Sequence, residues 1–244
     1  MSSPEHRIVP DWPAPARVRA LQTTRQGGVS FAPYDSLNLG DHVGDVTRAV
    51  AHNRQLLSAL MPSEPVWLQQ VHGTVVVNAA TANCLPQADA CITNHRGAVC
   101  AVMTADCLPV LLCDEDGSVV AAAHAGWKGL ADGVLESTVK AMDVAPHKLL
   151  AWFGPAISQR AFEVGDEVRE IFMTHDVDAA SAFLPGAQGK WMADIFMLAR
   201  QRLHACGVTR VYGGALCTHS NPARFFSYRR DGVTGRMGTF IWLE

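Results

Sequence analysis

Three side chains stand out as able to do chemistry: Cys107, His124 and His72. Cys107 lies in Thr104-Ala105-Asp106-Cys107-Leu108-Pro109, a polar break between two apolar runs. His124 ends the run from Val119 to Ala123, and His72 sits in Gln69-Gln70-Val71-His72-Gly73. One thiolate and two imidazoles make an N/S/N donor set. Zinc accepts both ligand types, and catalytic zinc sites use three protein ligands with a fourth position open. A thiol beside an imidazole is also the pairing of a cysteine hydrolase. The three residues are far apart in sequence and do not show a zinc-finger spacing. Each has a plainer alternative. A free cysteine is often simply buried, and a strand-end histidine can be satisfied by the backbone. Spacing alone leaves these alternatives open.

Charged and flat side chains cluster near the same stretch. Gly126-Trp127-Lys128-Gly129 follows His124, and a helical pattern follows that. Glycines allow close backbone approach, Lys128 supplies charge, and a helix N-terminus favours anions. The alternative is an ordinary strand-to-helix turn with an exposed lysine. Arg229 and Arg230 precede a glycine-containing turn, where arginines are commonly solvated. Trp127 could stack on a flat substrate or merely cover the core. Asp106 is placed to orient a ligand or shuttle a proton.

These residues need elements to hold them. Ala98 to Thr104 and Val119 to Ala123 read as buried strands. Asp114-Glu115-Asp116-Gly117 is a turn signal, so its flanking arms form a hairpin. Leu130, Val134, Leu135, Thr138, Val139 and Met142 fall at helical spacing. Further strands are expected at 18–24, 66–68, 74–77, 91–93, 148–153 and 209–217. Helices are expected at 46–60, capped by Asp45, after Gly165, and at 194–206, closed by Gly207. Phe225–Arg229 and Met237–Leu243 read as a last hairpin. The glycine after His72 suggests a bulge or close backbone approach. Residues 4–16 are proline-rich and expected to be extended.

Strands and helices do not alternate strictly, so the expected fold is α+β: mixed sheets flanked by helices, in one domain over 1–244. No dinucleotide fingerprint or P-loop occurs. The 244 residues are 48% hydrophobic, enough for a large core. A net charge of −3 gives no basic footprint for nucleic acid. No apolar run reaches membrane-spanning or signal-peptide length, so a cytoplasmic location is the expectation. Seven cysteines without repeated spacing do not suggest a disulfide framework.

Several segments together carry a resemblance: TTRQGGVS at 23–30, SLNLGDHVGD at 36–45, WLQQVHG at 67–73, TADCLPVLL at 104–112, AAAHAGWKGL at 121–130, AFEVGDEV at 161–168 and FFSYRRDGVTGRM at 225–237. In this combination the chain closely resembles the bacterial purine nucleoside phosphorylase family. That family was once called multicopper polyphenol oxidase or laccase, and some members are called peptidoglycan editing factor. The resemblance implies mixed sheets with flanking helices, related to a toxin deamidase of the cysteine-hydrolase type. It also implies metal ligation by His72, Cys107 and His124. The metal would be zinc, with copper a substitute in vitro. The implied reactions are phosphorolysis of adenosine, inosine and methylthioadenosine, and deamination of adenosine. The partners would be a nucleoside and phosphate, with Arg25, Lys128 and Arg230 the candidate phosphate residues. The laccase name fits poorly, because multicopper oxidation needs a histidine-rich cluster and a blue-copper site, and no His-x-His pair occurs. The rival readings are a Cys–His amidase acting on cell-wall precursors and a non-catalytic zinc protein. Three ligands with an open fourth position argue against the latter.

Overall fold

The computed structural model describes residues 6–244. The fold is mixed α+β, built on two stacked sheets and a small third one. The central hairpin joins Leu108–Asp114 to Val120–Ala125. Its turn is fixed by Asp114, whose carboxylate accepts from the backbone N–H groups of Ser118 (2.6 Å) and Val119 (3.0 Å). The hairpin lies at the middle of a six-stranded sheet. The strand order is 210–213, 149–153, 108–114, 120–125, 90–93, 76–78. The outermost pairing at each edge is parallel and the others are antiparallel.

Alternation along the hairpin decides what each face packs against. Leu108, Val110, Leu112, Ala121 and Ala123 face a layer of helices, Trp127–Asp132, Val134–Ala141, Asp166–His175 and Ile195–Ala205. Leu111, Cys113, Val120 and Ala122 face the second sheet, meeting Cys100, Val102, Ile241 and Leu243. That sheet is antiparallel, in the order 7–8, 18–23, 237–243, 99–104. Its outer face buries Leu21, Ala101, Met103 and Phe240 with Leu37, Leu39 and Leu57. Leu57 comes from the helix Thr47–Ser58. The layers therefore run helices, sheet, sheet, helix. A short three-stranded sheet, 183–185, 191–193 and 163–164, lies beside the helical layer.

Several local expectations are corrected. Phe225 and Phe226 are buried without pairing as a strand, and Tyr228–Asp231 forms one helical turn. Ser227 caps that turn by accepting from the Arg230 N–H, so no hairpin precedes Met237–Leu243. Asp45 does not cap the first helix. Val46 is its N-cap, and the Asp45 carboxylate binds Val46 N, Ser30 and Asn38. The helical pattern after His124 is two helices divided at Gly133, whose φ of +100° is a glycine conformation. Residues 66–68 make only an isolated bridge through Val66. Asp194 caps 195–205 by accepting from Met197 N at 3.0 Å. The proline-rich N-terminal stretch pairs through Arg7–Ile8, and its residues 4 and 5 lie outside the described ones.

Candidate metal centre and the cleft around it

Sheet register brings the donor residues together. Cys107 immediately precedes the hairpin strand beginning at Leu108, and His124 stands opposite Pro109 on the other arm. His72 arrives on the loop before the edge strand Val76–Asn78. One ligand atom from each of His72, Cys107 and His124 lies within 4.8 Å of the others. The Cys107 Sγ is 3.7 Å from His72 Nε2, and the two imidazoles meet edge to face at 4.8 Å. His124 is buried, Cys107 half-buried and His72 exposed.

Asp89 organises this cluster, and the sequence reading did not single it out. It lies fully buried just before the strand Ala90–Thr93. One carboxylate oxygen is 2.8 Å from His124 Nδ1. The carboxylate also accepts from the backbone N–H groups of Val71 (3.1 Å), His72 (2.9 Å) and Gly73 (2.7 Å). It therefore fixes the ring that carries one donor and the loop that carries another. With Nδ1 engaged, Nε2 of His124 is left for a ligand, as in carboxylate–histidine–metal arrangements. Burial raises the Asp89 pKa, but the hydrogen bonds from His124 and the loop amides outweigh it, and the net shift is downward.

Two residues hold unusual backbone angles at the site. His72 has φ +60° and Asp106 has φ +96°. Such angles are uncommon for residues with a side chain, and they cluster where the surroundings over-determine them. The Asp106 carboxylate accepts from Thr218 Oγ1 (2.6 Å), Ser227 Oγ (3.0 Å) and Arg229 N (2.7 Å). These bonds pin the turn that presents Cys107. Gly126 supplies room, because a Cβ there would lie 2.5 Å from His72 Cδ2 and 3.0 Å from Cys107 Sγ.

Without metal the surroundings favour a thiolate on Cys107 and a proton on His124. Burial alone would raise the Cys107 pKa, but the positive charge and hydrogen bond of His124, helped by His72, lower it to about 6. Burial alone would lower the His124 pKa, but Cys107 and Asp89 raise it to about 9. A thiolate is the form that binds metal, and two imidazoles beside it complete a donor set suited to zinc.

Two cavities meet at this cluster. One, of about 430 Å³, is lined by His42, Gln70, Met103, Thr104 and Arg236 as well as the three donors. The other, of about 260 Å³, is lined by Trp127, Ile157, Phe162, Ile195, Asp106 and Arg229. His72, Ala105, Cys107 and Tyr228 border both. The candidate phosphate residues lie elsewhere. Arg25 donates to the carbonyls of Asp35 and Pro222, and Arg230 to those of Thr218, His219 and Phe225. Lys128 is exposed, 5.5 Å from the Trp127 ring. None of the three lines either cavity.

A histidine–cysteine–histidine cluster, steered by a buried carboxylate and open to a cleft in an α+β fold, defines a class of candidate metal-binding enzyme. The comparisons agree. The chain belongs to the multi-copper polyphenol oxidoreductase laccase family, whose model matches residues 19–244. It is 57% identical over 238 residues to "Purine nucleoside phosphorylase PA4543" of Pseudomonas aeruginosa, covering 97% of this chain and 98% of that one. It is 55% identical to "Purine nucleoside phosphorylase YfiH" of Escherichia coli, with the same coverage. Its fold matches the crystal structure of Neisseria meningitidis protein NMB0706 with a TM-score of 0.95 and 53% identity, over 98% of this chain and 99% of that one. YlmD of Geobacillus stearothermophilus matches with a TM-score of 0.88 and 30% identity, over 99% and 94% of the two chains. Among the described residues, no helix is long and apolar enough to cross a membrane.

Proposed function

We propose that this protein is a zinc-dependent purine nucleoside phosphorylase that acts on adenosine, inosine and methylthioadenosine and also deaminates adenosine. Its substrates are small molecules, and its place of work is the cytoplasm. The observation that carries the reading is the convergence of His72, Cys107 and His124 at the junction of two cavities. The phosphorylase names of relatives at 55–57% identity support the reaction class.

His72, Cys107 and His124 would hold the ion, and Asp89 would keep His124 turned toward it. When bound, zinc supplies Lewis-acid chemistry, polarising a substrate atom or acidifying water. Asp106, which also borders the second cavity, keeps the Cys107 turn in place through three hydrogen bonds. Lys128 is exposed beside Trp127 and lines neither cavity, and Arg25 and Arg230 act on the loops they tie down. The test is product analysis of adenosine with purified enzyme. Adenine and ribose 1-phosphate that form only with phosphate support phosphorolysis, and inosine formed without phosphate supports deamination. No turnover under either condition would overturn the reading.

A second reading has an observation of its own. Asp89, His124 and Cys107 are ordered as carboxylate, imidazole and thiol, the order of a cysteine-hydrolase triad. An amide substrate, such as a cell-wall precursor, would then leave an acyl group on Cys107. Mass spectrometry that detects this thioester would favour the amidase. A laccase activity has no comparable support, since it needs several copper ligand sets.

A further inference from the structure

We infer that the two cavities are separate subsites, with phosphate bound in the Arg236–Thr104 cavity and the purine base in the Trp127–Phe162 cavity. The inference rests on the phosphorylase reading and adds where each reactant sits.

Chemistry demands two flanking sites. In phosphorolysis by direct displacement, phosphate approaches the ribose C1′ from the face opposite the departing base. The C1′–N9 bond breaks and its electron pair leaves with the purine. A phosphate oxygen bonds to C1′, and the proton that phosphate carries passes to the purine. The reacting carbon must then lie between an anion site and a base site. His72, Ala105, Cys107 and Tyr228 border both cavities, so the seam between them is where C1′ belongs.

The linings differ in chemistry. Arg236 commits Nη1 to the carbonyls of Thr234 (3.0 Å) and Gly235 (3.1 Å). Its Nε and Nη2 have no hydrogen-bond partner among the described residues. Its backbone is held by the Asn38 side chain at 2.8 Å, and Gly40 leaves room for its stem, since a Cβ there would lie 2.8 Å from Arg236 Cγ. The SLNLGDHVGD loop therefore packs against this arginine. Thr104, on the same cavity wall, is 1% exposed, and its hydroxyl is buried without a partner. An unmatched buried hydroxyl is costly, and a bound phosphate oxygen would satisfy it. His42 borders the same space and pairs with Asp41. A forked guanidinium beside a hydroxyl suits a tetrahedral oxyanion.

The second cavity offers apolar walls. Ile157, Phe162 and Ile195 are buried side chains, and the partly buried Trp127 packs against the same core. Aromatic and aliphatic walls suit a flat heterocycle. Arg229 donates Nη1 to the Ala161 and Glu163 carbonyls and its backbone N–H to Asp106, which fixes the rim.

The test separates the two KM values. Thr104→Val and Arg236→Gln should each raise the KM for inorganic phosphate about tenfold and leave the KM for inosine within about twofold. Trp127→Leu should do the reverse, raising the KM for inosine about fivefold. Zinc content measured alongside should stay at the wild-type level in all three. If Arg236→Gln does not fold, Thr104→Val decides, because its hydroxyl makes no bond in the fold. An active wild type whose variants shift both constants together, or neither, overturns the subsite assignment alone. A wild type that makes no ribose phosphate from inosine and phosphate removes the phosphorylase reading and the assignment with it.

Discussion

At the residue scale, Asp89 is the side chain on which the cluster depends. It fixes His124 by its ring and His72 by its backbone. Asp89→Asn keeps the size but loses the charge and one acceptor. Zinc affinity should fall by about 10- to 100-fold, as for other outer carboxylates, in a competition titration against a coloured chelator. Unchanged affinity would show that Asp89 serves only the fold. Protonation gives a second prediction, for the metal-free protein. Cys107 titrates near 6 in the fold and His124 near 9. Alkylation by iodoacetamide should therefore rise with a midpoint near pH 6, well below that of an ordinary thiol. Both shifts also affect stability. The raised His124 pKa stabilises the fold fully below its unfolded value of 6.5, and that gain is lost as pH rises through about 9. The lowered Cys107 pKa stabilises above its unfolded value of 9.0, and that gain is lost as pH falls through about 6. Asp89 escaped the sequence reading because Ala88-Asp89-Ala90 looked only like the approach to a strand. Arg236 lies in FFSYRRDGVTGRM, but nothing in the sequence shows which arginine keeps unpaired N–H groups.

At the scale of elements, the central hairpin was legible because alternation and the Asp114–Gly117 turn agree. Its arms face different layers, as a period of two requires. The supposed last hairpin failed because Phe225 and Phe226 look like strand residues, while Ser227 starts a helical turn instead. The donor residues were recognisable by type. Their convergence was not, since it follows from strand register and from a loop pinned by Asp89. Gly126 tests how tightly the elements close on the cluster. Gly126→Ala would push a methyl group against His72 and Cys107. The expected outcome is a large loss of zinc in elemental analysis with an unchanged circular dichroism spectrum. Full zinc content would mean that the cradle is looser than its geometry. Asp194→Ala should cost about 0.5–2 kcal/mol in urea denaturation by removing a helix cap, with zinc content unaltered because Asp194 is bonded to Met197 and not to a donor residue.

At the scale of the whole molecule, the cluster joins three segments that are distant in the chain and adjacent in the fold. A metal held there binds the native state and not the unfolded chain. Zinc added to chelator-treated protein should therefore raise the melting temperature in proportion to the logarithm of its concentration. A melting temperature indifferent to zinc would argue against binding at this site. Both sheets share one interior layer, in which Leu111 and Cys113 meet Val102 and Ile241. Mixed sheets were legible in the sequence, but which strands stack was not, because both sheets use equally apolar runs.

The strand Met237–Leu243 lies between Val18–Thr23 and Val99–Thr104 and hydrogen-bonds to both. A growing chain leaves the ribosome in sequence order, so this middle strand emerges after both of its neighbours. Until then each neighbour has an open edge of unpaired backbone groups, the kind of edge that invites aggregation. All three metal donors have emerged by that time, yet the strand that completes the sheet and carries Arg236 at its threshold has not. Biogenesis thus delivers the candidate metal cluster first and the proposed anion-binding wall last, and a nascent chain stalled in between is the form most in need of a chaperone.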